Sequence, residues 1–359
     1  MSAADALTTA AARPGRRGGM IRRVAGYSAM RASAEGLVGL RGLLLAALLG
    51  PAAFGSWALL RLGTRYAALA GLGVFRGLEV ELLHGAERRD GAIAGRSEPA
   101  GAALGFVLAV SGALAAAALV ASALVVSPTQ RLILQGFAGA VVAEAVYGYV
   151  LVYTRVRATL LRYALLEAGT AALHLVLGLA LAHTFGLAGA FAALALSAAL
   201  GVLVASRWVE LRPRLDAAAV RGMLGIGLPV ALTGALGTLL LTADRWVVAA
   251  WGGQELLGYY AFGAALASAG AALALAVRTV VFPQVYGDAR LTGAAAALQR
   301  HLERSLMPFA TLVPPVLGAV GALVAPAVEL LVPQYAPAIA PARLFLLSGA
   351  AAGLVNLAT

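Results

Sequence analysis

The chain has 359 residues, 61% of them hydrophobic and only 12% charged, with a formal net charge of +11 and no cysteine. So apolar a composition excludes an ordinary soluble domain and points to an all-α polytopic membrane protein; the lack of cysteine excludes disulfides and thiolate metal sites. Every basic residue is Arg, an excess that would suggest nucleic acid in a soluble protein, but its placement here gives a different reason.

Residues 1–23 are rich in Ala, Arg and Gly, include Pro14 and lack helical or strand periodicity. They read as a disordered cytoplasmic tail, with Met20 an alternative start. Apolar windows of about 20 residues then give ten transmembrane spans. They lie near 24–49, 55–79, 101–126, 131–153, 162–184, 186–206, 225–250, 256–283, 305–325 and 340–359. Arginines cluster in alternate connections. Arg13, Arg16, Arg17, Arg22, Arg23 and Arg31 lie in or beside the tail, and Arg88, Arg89 and Arg96 follow span two. Arg155, Arg157 and Arg162 follow span four, Arg207, Arg212, Arg214 and Arg221 span six, and Arg290, Arg300 and Arg304 span eight. The other connections hold Arg131 and, at the edge of the last span, Arg343. This asymmetry places the amino terminus and the Arg-rich connections in the cytoplasm.

Leu44–Gly55 (LLAALLGPAAFG) and Val247–Gly258 (VVAAWGGQELLG) align without a gap at an offset of 203 residues. Gly50 then matches Gly253, Gly55 matches Gly258, and Trp57 matches Tyr260. Each copy ends one apolar span, turns at the glycine and starts the next. Two lobes in the same orientation follow: an N-lobe of six helices over 24–207, a cytoplasmic linker over 208–224, and a C-lobe of four helices over 225–359. The second lobe is short by two spans if the halves are equal.

The segment LTADRWVVAAWGGQELLGYYAFGAAL, followed by LALAVRTVVFPQV, resembles spans seven and eight of the polysaccharide flippases, relatives of the lipid II flippases and of multidrug and toxin extrusion transporters. The matching motif is Asp244-Arg245, the glycine turn, Gly258-Tyr259-Tyr260 and Phe282-Pro283. In the first lobe RGLLLAALLGPAAFGSWALL is similar to the family's opening hairpin, with Arg41 nine residues before Gly50. Gly42 departs from the lipid II flippases, which carry an acid there. The resemblance implies two helical bundles around a central cavity that opens to each side in turn. It also implies a polyprenyl-pyrophosphate-linked saccharide as the transported partner, contacts with membrane lipids, and polysaccharide-assembly enzymes as further partners.

The charges within the spans are few. Arg41 reads as a cavity residue. Arg61 and Arg65, four apart on one helix face, read equally as cavity residues or as side chains reaching the outer headgroups. An ion pair with Asp244 or Glu144 is the structural alternative for all three. Asp244 and Arg245 point about 100° apart, which lets one face the cavity while the other bonds a neighbouring helix; structural locking is the equal alternative for the pair. Glu144, mid-span, is a coupling candidate if unpaired and otherwise a carboxyl bonded to a neighbouring helix. Glu167 and His174 share a face and read as a local polar contact, whereas Arg76 and Arg278 read as snorkelling residues. Gly50, Gly55, Gly253 and Gly258 are turn candidates. Pro229 is a hinge candidate in span seven, and Pro308, Pro314 and Pro315 loosen span nine.

Neither cofactor nor metal is expected. The glycine run GLGVFRG at 71–77 fails the dinucleotide spacing, and the histidines show no ligand pattern. The stretch at 80–100 reads as a solvated loop, which disfavours a membrane glycosyltransferase or polymerase. A cation antiporter of the same fold and a non-transporting truncated partner stay open beside the flippase reading.

Overall fold

The computed structural model describes residues 36–87, 99–292 and 307–358, together with Met30, Ser33, Ala34 and Gln299. The tail at 1–23, the connection at 88–98, Arg300, His301 and Arg304 lie outside the described residues. Over 267–292 only the helical backbone is described, so Arg278, Phe282, Pro283 and Arg290 enter no side-chain comparison.

The described elements are helical. In chain order they are α1 (Gly36–Leu49), α2 (Pro51–Leu69), α3 (Val74–Glu87), α4 (Pro99–Leu124) and α5 (Pro128–Arg157). They continue with α6 (Leu160–Ala205), α7 (Ala217–Thr292), α8 (Met307–Leu331), a 3₁₀ turn (Pro333–Ala338) and α9 (Ile339–Ala358). Five stretches among the described residues are long and apolar enough to cross a membrane. Two of these, Leu161–Ala205 and Ala217–Leu266, are far longer than the roughly 20 residues a bilayer needs. Each breaks once, at Gly186 (φ 58°) and at Gly253 (φ 71°), and so supplies two spans. With α1, α2, α4, α5, α8 and α9, the two arms of α6 and of α7 account for the ten spans read from the sequence. The protein is a multi-pass helical membrane protein.

The first copy of the repeat turns as the second does. Gly50 (φ 74°, ψ 170°) and Gly253 (φ 71°, ψ −172°) share one left-handed, extended conformation that strains any residue with a Cβ. Five residues on, the copies meet. A Cβ on Gly55 would lie 1.7 Å from the Gln254 carbonyl oxygen, and one on Gly258 1.9 Å from that of Pro51. Under the 203-residue offset Gln254 is the counterpart of Pro51, so this is one contact made twice about a local two-fold axis. At the Arg-rich end Gly73 and Gly227 abut equally closely, and α2, α3 and α9 all pack on α7.

Two apolar clusters occupy the two ends of the bundle. One gathers Leu45, Phe54, Leu60, Ile133, Phe191, Phe262 and Tyr335 near the glycine turns. The other gathers Val74, Leu78, Leu104, Tyr149, Val150 and Met223 at the Arg-rich end. The Ala47 carbonyl near the end of α1 faces Pro51, which has no N–H to offer; Gln334 reaches it at 3.4 Å, while the Tyr335 hydroxyl donates to Ala46 O at 3.0 Å. Outward-facing leucines on α7, among them Leu232, Leu236, Leu240 and Leu241, suit a hydrocarbon surround.

Two local readings of the sequence change. Residues 80–87 are helical rather than loop, because Val74, Leu78 and Leu82 recur every four residues and bury completely. α7 begins at Ala217, inside the expected linker, because the Asp216 carboxylate accepts from the Ala218 and Ala219 amides as an N-cap. The break in α7 falls at Gly253, one of the expected turns, and the backbone is helical through Pro229.

The paired contact makes a clear demand. Gly55→Ala and Gly258→Ala are each expected to cost about 1–3 kcal/mol through overpacking. Gly139→Ala, with nothing within 4 Å of its added Cβ, serves as the neutral control. Thermal unfolding in detergent reads the difference, and equal midpoints for all three would remove the close crossing.

Candidate functional site

A cavity of about 700 Å³ lies between the two apolar clusters. Its charged lining comes from four elements: Arg41 on α1, Arg61 and Arg65 on α2, Glu144 on α5 and Arg245 on the first arm of α7. Trp57 lines it as well. Five of the six charged candidates read from the sequence therefore converge on one space to which both lobes contribute.

Arg41 is the most deeply placed, only 6% exposed. Its Nη1 donates to Nδ1 of His174 on α6 at 2.6 Å, and its guanidinium carbon sits 5.5 Å from the centre of the Trp57 ring. The bond requires the neutral imidazole with Nδ1 as acceptor. The Arg61 guanidinium lies at the same 5.5 Å from that ring and donates to the Glu144 carboxylate. Two cations thus share one indole, whose negative face offsets part of their desolvation. Glu144 is therefore paired, and its expectation as an unpaired mid-span carboxyl gives way to the ion-pair alternative. Arg65, one turn beyond Arg61, is exposed to the cavity.

Asp244 stands apart. It is exposed, lies outside the cavity lining and accepts a hydrogen bond from the Tyr260 hydroxyl across the Gly253 hairpin. Arg245 faces the cavity, so the adjacent pair divides as the helix geometry requires. The repeat gives this meaning: Arg41–Trp57 and Asp244–Tyr260 are the same two positions in the two lobes. Each lobe couples the charge before its turn to the aromatic after it, with opposite sign.

Nearby, the Tyr66 hydroxyl lies 2.9 Å from the Thr242 hydroxyl and the Tyr66 ring packs edge-on against Trp246, tying α2 to α7 beside the cavity. Arg76 is paired with Glu79 at 2.8 Å, and Arg155 joins the same carboxylate at 3.1 Å, a surface cluster distinct from the cavity. Gly50, Gly55, Gly253 and Gly258 set the turns and crossing described above, and Pro229 lies within the first arm of α7.

Trp57 and the partnership of His174 with Arg41 are what sequence reasoning missed. For Trp57 a signal existed, since Trp57, Arg61 and Arg65 recur every four residues and so share one helix face. For His174 none did, because its partner is 133 positions away.

Removing one member of the Arg61–Glu144 pair strands the other in a partly buried site. Arg61→Ala and Glu144→Ala are each expected to lower stability by about 1–3 kcal/mol, and the double variant to lose less than the sum. Additive losses in a double-mutant unfolding cycle would show that the two side chains are not coupled.

No protein-family model and no curated protein matches the chain. Its three-dimensional likenesses are consistent. A multidrug resistance MATE family transporter of the MOP superfamily, in an inward-facing conformation, superposes with a TM-score of 0.61 at 18% identity, covering 89% of this chain and 81% of that one. MATE in the straight conformation gives 0.59 at 19% identity over 93% and 82% of the two chains. A MOP superfamily transporter from Pyrococcus furiosus, whose binding pocket of reverse polarity suggests a different function, gives 0.56 at 19% identity over 93% and 82%. The finer assignment to the polysaccharide flippases is not reached at these identities. The chain has the fold of the MOP superfamily transporters.

Proposed function

We propose that this protein carries a polyprenyl-pyrophosphate-linked saccharide across the bacterial cytoplasmic membrane by alternating access, in the service of cell-surface polysaccharide synthesis. The observation that carries the reading is the gathering of Arg41, Arg61, Arg65 and Arg245 around one cavity between two lobes of a transporter fold. A diphosphate and its sugars cannot cross about 30 Å of hydrocarbon with their hydration shell removed and unreplaced. Guanidinium forks replace that shell with charge-assisted, bidentate hydrogen bonds. The lipid tail stays in the bilayer, and the assembly enzymes that make and use the saccharide are the natural partners. Four guanidiniums against one carboxylate favour an anionic cargo over the cationic one of a drug antiporter.

In proteoliposomes, a labelled polyprenyl-pyrophosphate sugar should move with the protein and not without it. Arg41→Ala should slow that movement about tenfold or more. Arg131→Ala, whose guanidinium bonds the Val125 carbonyl at the far end of α5, should not slow it. Normal transport by Arg41→Ala removes the site; equal movement with and without protein removes the function.

The arginine asymmetry supports an amino terminus in the cytoplasm. Because the chain has no cysteine, single-cysteine labelling reads this directly. Val126→Cys and Leu215→Cys sit at strongly exposed positions on opposite ends of the bundle. A membrane-impermeant maleimide is expected to reach position 126 from outside and position 215 only after lysis. The reverse pattern inverts the orientation.

A further inference from the structure

The cavity holds an anion of its own. Glu144 reaches from α5 to Arg61 on α2 and takes the guanidinium that, with Arg41, leans on Trp57. Any anionic headgroup that uses Arg61 must therefore displace a carboxylate, and the result depends on the charge of the newcomer. A headgroup with one charge swaps one anion for another. The attraction it gains on Arg61 is the attraction Glu144 loses, and the released carboxylate is left beside the newcomer, where like charges repel. A diphosphate brings two charges on adjoining phosphates. It can bridge Arg61 and Arg41, which share one indole, and so exceeds what Glu144 gave up.

The distinction matters because the chain is embedded in the competitor. Singly charged phospholipids such as phosphatidylglycerol surround a membrane cavity at high local concentration, and exposed arginines attract them. An unguarded arginine cavity would fill with bulk lipid.

We propose that Glu144 is a specificity residue: it withholds Arg61 from singly charged phospholipid headgroups and yields it to a diphosphate. The proposal rests on the anionic-cargo reading above and adds to it a named device for excluding the membrane's own lipids.

The test compares two soluble probes, a farnesyl methyl diphosphate diester with two charges and dihexanoyl phosphatidylglycerol with one, binding to the purified full chain in a neutral detergent by calorimetry. The unaltered protein is expected to prefer the diphosphate. Glu144→Gln is expected to strengthen phosphatidylglycerol binding about tenfold and shrink the preference, as removal of a competing charge does. Glu144→Ala should do the same, so the result does not hang on one variant's folding, and Glu144→Asp, which keeps the charge, should retain the preference. A preference unchanged in both Gln and Ala variants, with diphosphate binding still weakened by Arg61→Ala, overturns the role of Glu144 and leaves the anion cavity standing. Diphosphate binding unaffected by both Arg41→Ala and Arg61→Ala overturns the cavity reading and this inference with it.

Discussion

A guanidinium inside an apolar bundle costs several kilocalories per mole unless its lost hydration is replaced, and much of this structure can be read as the arrangement that replaces it. Arg41 has an imidazole and an indole; Arg61 has the same indole and a carboxylate. These partners come from α2, α5 and α6, so compensating two cations fixes the mutual positions of four helices. The apolar clusters at the two ends then pack around a polar middle that is already defined. Without those partners the arginines would have to reach the headgroups, and the space between the lobes would close as an ordinary hydrophobic seam.

The duplication supplies the scaffold, and its divergence supplies the chemistry. Both lobes retain a charge, a glycine turn and an aromatic in fixed register, and in both the charge meets the aromatic across the hairpin. Yet Arg41 turns into the cavity while Asp244 turns away from it, and Arg245 enters from the second lobe instead. Equivalent backbone positions have been given opposite signs and different exposures. The cavity therefore draws positive charge from both lobes although the two hairpins share one pattern.

Much of this was legible in the letters. Ten spans, the single orientation of the two lobes and the equivalence of Gly50 with Gly253 follow from hydropathy, arginine placement and one internal alignment, because those properties are local or periodic. The cost of burying charge marked Arg41, Arg61 and Arg65 as cavity candidates, with the headgroups an equal alternative for Arg61 and Arg65, and left open which of Asp244 and Arg245 faces inward. What could not be read was which partnership forms. An ion pair of Arg61 with Glu144, 83 positions away, was one alternative among several, and the bond of Arg41 to His174, 133 positions away, was not among them. The helix through Glu87 was missed for another reason: its apolar stripe is narrow, and the charges between looked like a loop.

The reciprocal contact of Gly55 with Gln254 and of Gly258 with Pro51 also bears on how the two halves can drift apart. Each glycine is pressed by the backbone of the other copy, not of its own. A larger residue in either half is therefore opposed by the half that did not change, and main-chain atoms cannot be substituted to make room. Neither lobe can relieve the clash by a compensating substitution, so each glycine is held on its own account. That constraint gives a physical reason why the glycines around the turns are among the letters the two halves share.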